Sequence, residues 1–531
     1  MSFPNRNNPY NFDEFLEWRK KVNYYDDDLF LKKVIKHFVK NEWEGLDKEL
    51  KDFSHKVSYR WRDLSDSISM LEKKPYLVNY DAHHHRIDKL VRPIETEILE
   101  KEVFSEKIFS DKTSKWTKLC KMYLIYQNGE ACVACPLTCT EGLVAILEQC
   151  SDSDETKEIL THCKEGIDGN FGIGSQYLSE IHGGSDVAAN LLEAVKEGNN
   201  WKLYGSKFFC SAAHADYAVV TAKPKDSEKV GLFIVPAWLK DNKEKGIRNG
   251  YTIDRIKWKM GTSELPTAEI TFNGSLGYQI GSLEKGLANV VGIVLTYSRL
   301  TVGLSSASSM KRVVREAKKY SELRSAFGLQ IGQFPMLAGQ LKEFEHFADR
   351  TLAGAFKLYS KFLKIQYPLK NIKDFDNSVE SKQNKFNVRE LIMLQKITAA
   401  LDCTDVIRGA MSIFGGHGVM EDFSSIPRLF RDAVINELWE GPRNVLLTQI
   451  HRDFQKIAEF YKPEEFIKNI LKGHDEGNIK ELSQEAKELV MYPSLYNMDD
   501  KTIKICGQWD KFCHKLFHAY QDLAMMEVTN K

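Results

Sequence analysis

Glu440 lies in the stretch Trp439-Glu440-Gly441-Pro442-Arg443-Asn444, between an aromatic ring and a glycine in an otherwise apolar neighbourhood. A lone carboxylate there is costly to ionise, so its pKa is expected to rise towards neutrality. A base of that strength suits removal of a weakly acidic proton from carbon. Taken alone, Trp-Glu-Gly ordinarily marks a surface or capping glutamate. Two segments far away in the chain change that reading. In Tyr177-Leu178-Ser179-Glu180-Ile181-His182-Gly183-Gly184-Ser185-Asp186-Val187, a short apolar run ends in a hydroxyl, followed by paired glycines and Ser-Asp. Glycines let backbone approach a ligand closely, and Ser185 with neighbouring N–H groups could hold a phosphate. In Tyr204-Gly205-Ser206-Lys207-Phe208-Phe209-Cys210-Ser211, a turn feeds a strand that carries aromatic rings and ends in a hydroxyl. An aromatic ring can cover a flat heterocycle, and a strand-end hydroxyl can bond its edge.

These residues need elements to position them. Residues 11–75 alternate charged and apolar positions at helical intervals, and helical patterning continues through 95–163. Gly166 to Gly174 is a breaker-rich linker. From 175 to about 280 the texture becomes strand-like, in 217–221, 231–236 and 268–272, with turns expected at Glu197-Gly198-Asn199-Asn200 and at Asn273-Gly274. Helical patterning resumes near 284, with long stretches at 286–320 and 386–413. The charged segment 370–385 is expected to be an exposed loop. The predicted organisation is α+β and multidomain: an N-terminal helical domain (1–168), a middle β-sandwich or barrel (169–280), a C-terminal helical bundle (281–460) and an extra helical tail (461–531).

Composition narrows the function. Seventy-four basic and 74 acidic side chains cancel, which gives no support for a nucleic-acid surface. The tail lysines 468, 472, 501 and 504 are interleaved with acids and read as solvated helix faces. No run of about 18 apolar residues indicates a membrane span, and the polar start of the chain indicates a cytoplasmic protein. Cys132, Cys135 and Cys139 would share a helical face, where core packing is a better account than a metal. The adjacent side chains of His83, His84 and His85 diverge, so one ion could hardly use all three. No metal is expected. The glycines at 169, 172 and 174 do not open a helix, so a Rossmann loop is rejected.

The three segments together resemble the acyl-CoA dehydrogenase family of flavoproteins. Ser179-Glu180 … Gly184-Ser185-Asp186 is similar to its Thr-Glu-x-x-x-Gly-Ser-Asp, and 205–211 to its Gly-x-Lys-x-Trp-Ile-Thr. Trp439-Glu440-Gly441 is similar to its Tyr-Glu-Gly, and Arg324-Ser325-Ala326-Phe327-Gly328 to its Arg-x-x-Phe-Gly. Phe414-Gly415-Gly416-His417-Gly418, Pro427-Arg428 … Arg431-Asp432, and Arg299 at the family distance before Arg324 also fit. Tyr80-Asp81 … His85-Arg86-Ile87-Asp88, Cys135-Pro136-Leu137-Thr138, Pro266-Thr267-Ala268-Glu269 and Trp439 resemble the AidB-like branch. Departures include Ile181-His182 for Pro-Gly, Pro442 for Thr, Thr296 for an acidic residue, and Ser412 for Gln.

The resemblance implies FAD as cofactor. Tyr177, Leu178, Ser179, Phe209, Cys210 and Ser211 would wall and bond its ring, with Gly184 and Ser185 near the pyrophosphate or the substrate. Arg324, Phe327, Gly415 and Gly416 would hold the adenosine half of a neighbouring subunit's FAD, with Asn444 also reaching the cofactor. That implies a homo-oligomer, typically a tetramer. Glu440 would take the α-proton of an acyl-CoA thioester while hydride leaves the β-carbon. Ser185 would contact substrate, Arg299 would either contact substrate or pair within the helical bundle, and an electron-transferring flavoprotein could be the acceptor. A second expectation is an AidB-like flavoprotein that binds acyl lipid or nucleic acid with little dehydrogenase activity. A nitroalkane oxidase-like enzyme, which places Asp at the base position, is disfavoured by Glu440.

Overall fold

A computed structural model describes residues 11–365 and 378–529. The order is helices, then a β domain, then helices with a helical tail. Two helices of the first part matter for the site. Lys115–Tyr126 is buried almost throughout, and Ala134–Cys150 is buried along most of its length. The intervening turn Glu130–Cys132 ends at Val133, held at φ 52°, and only then does the second helix begin. That break separates Cys132 from the helical face shared by Cys135 and Cys139, contrary to the spacing argument.

The sequence reading also missed a hairpin. Strands β1 (Tyr76–Tyr80) and β2 (Arg86–Val91) pair antiparallel. The Asp81 carboxylate accepts the amides of His83 and His85 at 2.8 and 2.9 Å, so the histidine run is an exposed turn. Its inner residues Leu77 and Leu90 pack on the β domain. Alternation is masked here because β1 is apolar or aromatic at four of five positions and β2 is interrupted by Arg86, Asp88 and Lys89.

The β domain contains β3 (Gly174–Tyr177), β4 (Glu193–Glu197), β5 (Asn200–Ser211), β6 (Tyr217–Pro224), β7 (Gly231–Pro236), β8 (Tyr251–Ile256) and β9 (Thr267–Gln279). Strand β6 pairs with β3, β4 and β7, while β7 and β5 both pair with β9, so the sheet closes on itself; β8 adds to β9. Closure leaves few free edges. The β4–β5 hairpin turns at Gly198, as expected. Asn273-Gly274 does not turn. It is a bulge inside one continuous strand, with Gly274 at φ 79° as the extra residue between Asn273, opposite Tyr204, and Ser275, opposite Leu203.

The C-terminal bundle is built around the central helix Leu295–Leu323, entered through a π-helical turn at Val290–Val294. By length and apolar composition the stretch Leu283–Leu323 passes for a membrane span, but most of it is buried between neighbouring helices. The helices Pro335–Phe362 and Val379–Phe414 flank it. Close approach to the latter requires Gly303, where a Cβ would stand 2.2 Å from Gln395. Residues 370–377 of the expected loop lie outside the described residues, and 379–385 form the start of the Val379–Phe414 helix. The tail adds Pro463–Ile470, Glu476–Val490 and the long helix Asp500–Thr529, which packs back on the bundle.

Candidate active site

Glu440 sits in a four-residue corner, Trp439 to Pro442, between the helices Ile426–Leu438 and Arg443–Ile457. The corner is left-handed: Glu440 has φ 60° and Gly441 φ 100°. A non-glycine residue adopts that conformation only when its surroundings impose it. Two buried cations impose it here. Arg299 Nε on the central helix donates to the Glu440 carbonyl at 3.0 Å. Lys396 Nζ donates to the carbonyls of Glu437 and Gly441 at 2.9 and 2.8 Å. Helix-terminal carbonyls have no intrahelical donor, so Lys396 satisfies an otherwise orphaned end. Sequence reasoning missed Lys396; a single lysine inside the apolar run Leu391–Ala400 is the signal that could have revealed it.

The Glu440 carboxylate and backbone N–H have no hydrogen-bond partner among the described residues. Its side chain lines a narrow cavity between the helices Ala134–Cys150, Leu295–Leu323 and Ile426–Leu438. Protein surrounds it on most sides although it keeps some solvent access. Burial raises its pKa to about 6, against the opposing pull of Arg299 and then Lys396. Burial likewise lowers Lys396 to about 7, with Glu440 opposing.

The other two segments meet this corner. The Phe208 amide donates to the Ser179 carbonyl at 2.9 Å, joining the first segment to the second. Beneath them Lys207, fully buried, reaches Glu180 at 2.8 Å. Glu180 also accepts the amides of Leu191 and Leu192, so one ion pair fixes both loops. Burial and these donors act oppositely on Glu180; the donors prevail and its pKa is lowered. A bulge then resets β5: Lys207 stands opposite Ile270, and Cys210, not Phe209, is the next residue in phase, opposite Ala268. Both Phe208 and Phe209 are thereby turned away from the β core, and Phe209 is 51% exposed. Lys257 lies over both rings, at 3.2 and 4.6 Å from their centroids. Just beyond β5, Ala212 packs with Ala215, Leu265, Cys135 and Cys139 against Trp439. That small apolar cluster connects the second segment to the third.

The convergence is one of a family. The acyl-CoA dehydrogenase middle-domain model matches residues 175–275, and the C-terminal-domain model matches 284–454, together just over half of the chain. The chain belongs to the acyl-CoA dehydrogenase family. That family comprises oxidoreductases acting on the CH–CH group of acyl-CoA. Acyl-CoA dehydrogenase family member 11 of Caenorhabditis elegans is 26% identical over 81% of this chain and 70% of its own length. Putative acyl-CoA dehydrogenase AidB of Escherichia coli is 24% identical over 76% of this chain and 73% of its own. Among solved structures, C. elegans ACDH-11 in complex with C11-CoA superposes with a TM-score of 0.77 at 21% identity, over 96% of this chain and 91% of that one. An acyl-CoA dehydrogenase complexed with FAD from Bacillus anthracis gives 0.67 at 16% identity, over 96% and 85%.

Individual motif residues fall into distinct places. Arg299 bonds the Glu440 corner, Ser179 is held by its carbonyl beside Phe208 and Phe209 of β5, and Leu178 packs against the helical core. Ser179 Oγ stands where a Cβ on Gly184 would be, 2.2 Å away, so Gly184 admits the hydroxyl. Ser211 Oγ is 3.2 Å from Thr267 Oγ1. Tyr177 and Cys210 turn their side chains into the β core. Ser185 and Asn444 are exposed. Arg324, Phe327, Gly415 and Gly416 belong to the opposite end of the central helix, where Tyr320 OH bonds His417 at 3.0 Å. The 25 residues from Arg299 to Arg324 span about 38 Å at ~1.5 Å per residue. Phe327 is 98% exposed at φ 52°, on the turn of a short hairpin.

The remaining motif is positional. Asp432 accepts the amides of Glu130 and Thr262 at 3.1 and 2.8 Å, tying its helix to both neighbouring domains. Burial raises the pKa of Glu130, and Cys135 and Asp432 add to the shift.

Proposed function

We propose that this protein is an FAD-dependent acyl-CoA dehydrogenase in which Glu440 removes the α-proton of an acyl thioester. The observation that carries this reading is a largely enclosed carboxylate, without a hydrogen-bond partner among the described residues, on the corner that the second segment reaches through Ala212 and Trp439. The residues present fit FAD. Trp439 Nε1 is buried with no partner among the described residues, and a bulge exposes Phe209 beside the Ser179 hydroxyl segment. Leu178, Ser179, Phe209 and Ser211 would hold the flavin ring. FAD, when bound, supplies the acceptor for the hydride that leaves the β-carbon.

The chain supplies the proton chemistry. Glu440 with a pKa of about 6 is mostly ionised at neutral pH, yet basic enough to take a proton from carbon made acidic by a neighbouring thioester. The unpartnered Glu440 N–H is a donor for the thioester carbonyl, whose polarisation acidifies that proton. Arg299 and Lys396 hold the corner rigid while the side chain stays free to receive the proton. The cavity beyond, lined by Thr138, Thr301, Val302 and Ser305, takes the acyl chain.

The ~38 Å between Arg299 and Arg324 means one bound cofactor cannot use both ends of the central helix around a single ring. Arg324, Phe327, Gly415 and Gly416 therefore serve the cofactor of a second subunit, and the exposed Phe327 turn is part of that contact. A homotetramer follows from this reading. An electron-transferring flavoprotein is the acceptor and fatty acid metabolism in the cytoplasm the setting.

Anaerobic titration of the flavin-loaded protein with acyl-CoA esters of increasing length tests the proposal. Bleaching with enoyl-CoA formation is expected, its rate rising as pH passes about 6, because only ionised Glu440 is a base. Unchanged flavin with retained acyl-CoA would instead favour a binding protein.

A further inference from the structure

A second cluster of ligating side chains lies away from the thioester site, where the tail helix Asp500–Thr529 crosses the helix Val379–Phe414. Asp402 on the latter is 5% exposed. Its two carboxylate oxygens face two imidazoles of the tail: His518 Nε2 at 2.8 Å and His514 Nε2 at 3.4 Å. His514 and His518 are four residues apart, on one face of their helix, with ring centroids 4.1 Å from each other. All three donor groups come within 4.8 Å of one another. Among the described residues this is the one group of three or more His, Cys, Asp or Glu so arranged.

A buried carboxylate is costly unless a full positive charge or several donors compensate it. Around this point three cations are paired with other acids: Arg350 with Asp522 at 3.2 Å, Arg443 with Asp510, and Lys515 with Glu481. Asp402 forms no ion pair with a lysine or arginine among the described residues; the two imidazoles face it directly, and Arg350, paired with Asp522, lies near enough to feel its charge. Beside the cluster opens a cavity of about 510 Å³, lined in part by His514 and His518. It leaves one side of the two imidazoles accessible to water.

We propose that Asp402, His514 and His518 bind a divalent transition-metal ion that fastens the C-terminal tail to the helical bundle. Two imidazoles and a carboxylate suit ions such as Zn²⁺, with metal–ligand distances of ~2.0–2.2 Å and water in the open position. Drawing the three donors onto one ion requires side-chain shifts only. The ion would replace hydrogen bonds with coordination at Asp402, and it joins two helices through residues 112 positions apart in sequence, from 402 to 514.

The test uses the full-length, flavin-loaded protein after exhaustive chelation. Calorimetric titration with Zn²⁺ is expected to show one equivalent bound, with a rise in melting temperature. Asp402→Asn, His514→Gln and His518→Gln should each lose stoichiometric binding and the rise, while retaining flavin. His83→Gln/His85→Gln, at the exposed turn, should bind as the parent does. Because the chain has ten cysteines, Co²⁺ substitution provides the control: ligand-field bands without sulfur-to-metal charge transfer are expected. The proposal is overturned by absence of stoichiometric binding, by undiminished binding in the two His→Gln variants, or by a thiolate-type Co²⁺ spectrum. In those cases Asp402 is simply a hydrogen-bonded pin.

Discussion

Glu440→Gln is expected to separate catalysis from stability, lowering the first and raising the second. The substitution keeps side-chain size and the backbone bond from Arg299, but removes the only group placed to accept the α-proton. Flavin bleaching by acyl-CoA should slow by roughly 10²–10⁴-fold, the range for loss of a general base. Flavin content should be unchanged. The stability effect has a definite sign. The folded-state pKa of Glu440 is about 6, above its ordinary 4.5, so between these values the folded chain binds more protons than the unfolded chain. Stability from this group is therefore fully present below pH 4.5 and lost as pH rises through 6. At pH 8 the ionised side chain costs about 1–2 kcal/mol, and the neutral Gln avoids it. The variant should melt higher than the parent at pH 8 and nearly the same at pH 4.5. Equal bleaching rates would remove Glu440 from the chemistry, and a lower melting temperature at pH 8 would show that ionised Glu440 stabilises the corner.

Lys207→Met is expected to have the largest structural effect. It leaves Glu180 charged, buried and without its cation, and it strips the Leu178 carbonyl of a donor. Removing one partner of such a pair typically costs about 3–5 kcal/mol. The damage falls on the loop that carries Ser179, so flavin should be lost together with thermal stability. Glu180→Gln in the same chain should recover part of both, because a neutral amide no longer needs the ammonium. Measured flavin occupancy and melting temperature of the single and double variants decide it. If the single variant keeps flavin and melts as the parent does, the ion pair is not what holds the loops.

The sequence made the chemistry more legible than the backbone that delivers it. Glu440 stood out because a carboxylate between Trp439 and Gly441 is unusual in apolar surroundings, and the paired glycines and strand-end hydroxyls are local signals. The order of helices, strands and helices followed from a change of apolar period. What escaped was whatever depends on a partner distant in the chain. Lys396 clamps the Glu440 corner from a different helix, and nothing near residue 440 announces it. The β5 bulge that turns both Phe208 and Phe209 outward is a matter of register with β9. Asn273-Gly274 has the composition of a hairpin turn, yet pairing with β5 on both sides makes it a bulge. The β1–β2 hairpin was hidden because its strands are short and Arg86, Asp88 and Lys89 interrupt the apolar pattern of the second. The cluster of Asp402, His514 and His518 spans two domains of the sequence and forms only when the tail folds back.

Proton exchange at the substrate α-carbon tests the central claim most directly. In D₂O, under anaerobic conditions, acyl-CoA incubated with the flavin-loaded parent protein should gain deuterium at Cα, because Glu440 takes a proton and returns one drawn from solvent. Glu440→Gln, with the same flavin content, should leave Cα unlabelled over the same period. Exchange that continues at the parental rate in the variant would contradict the account, since some other group would then be removing the proton.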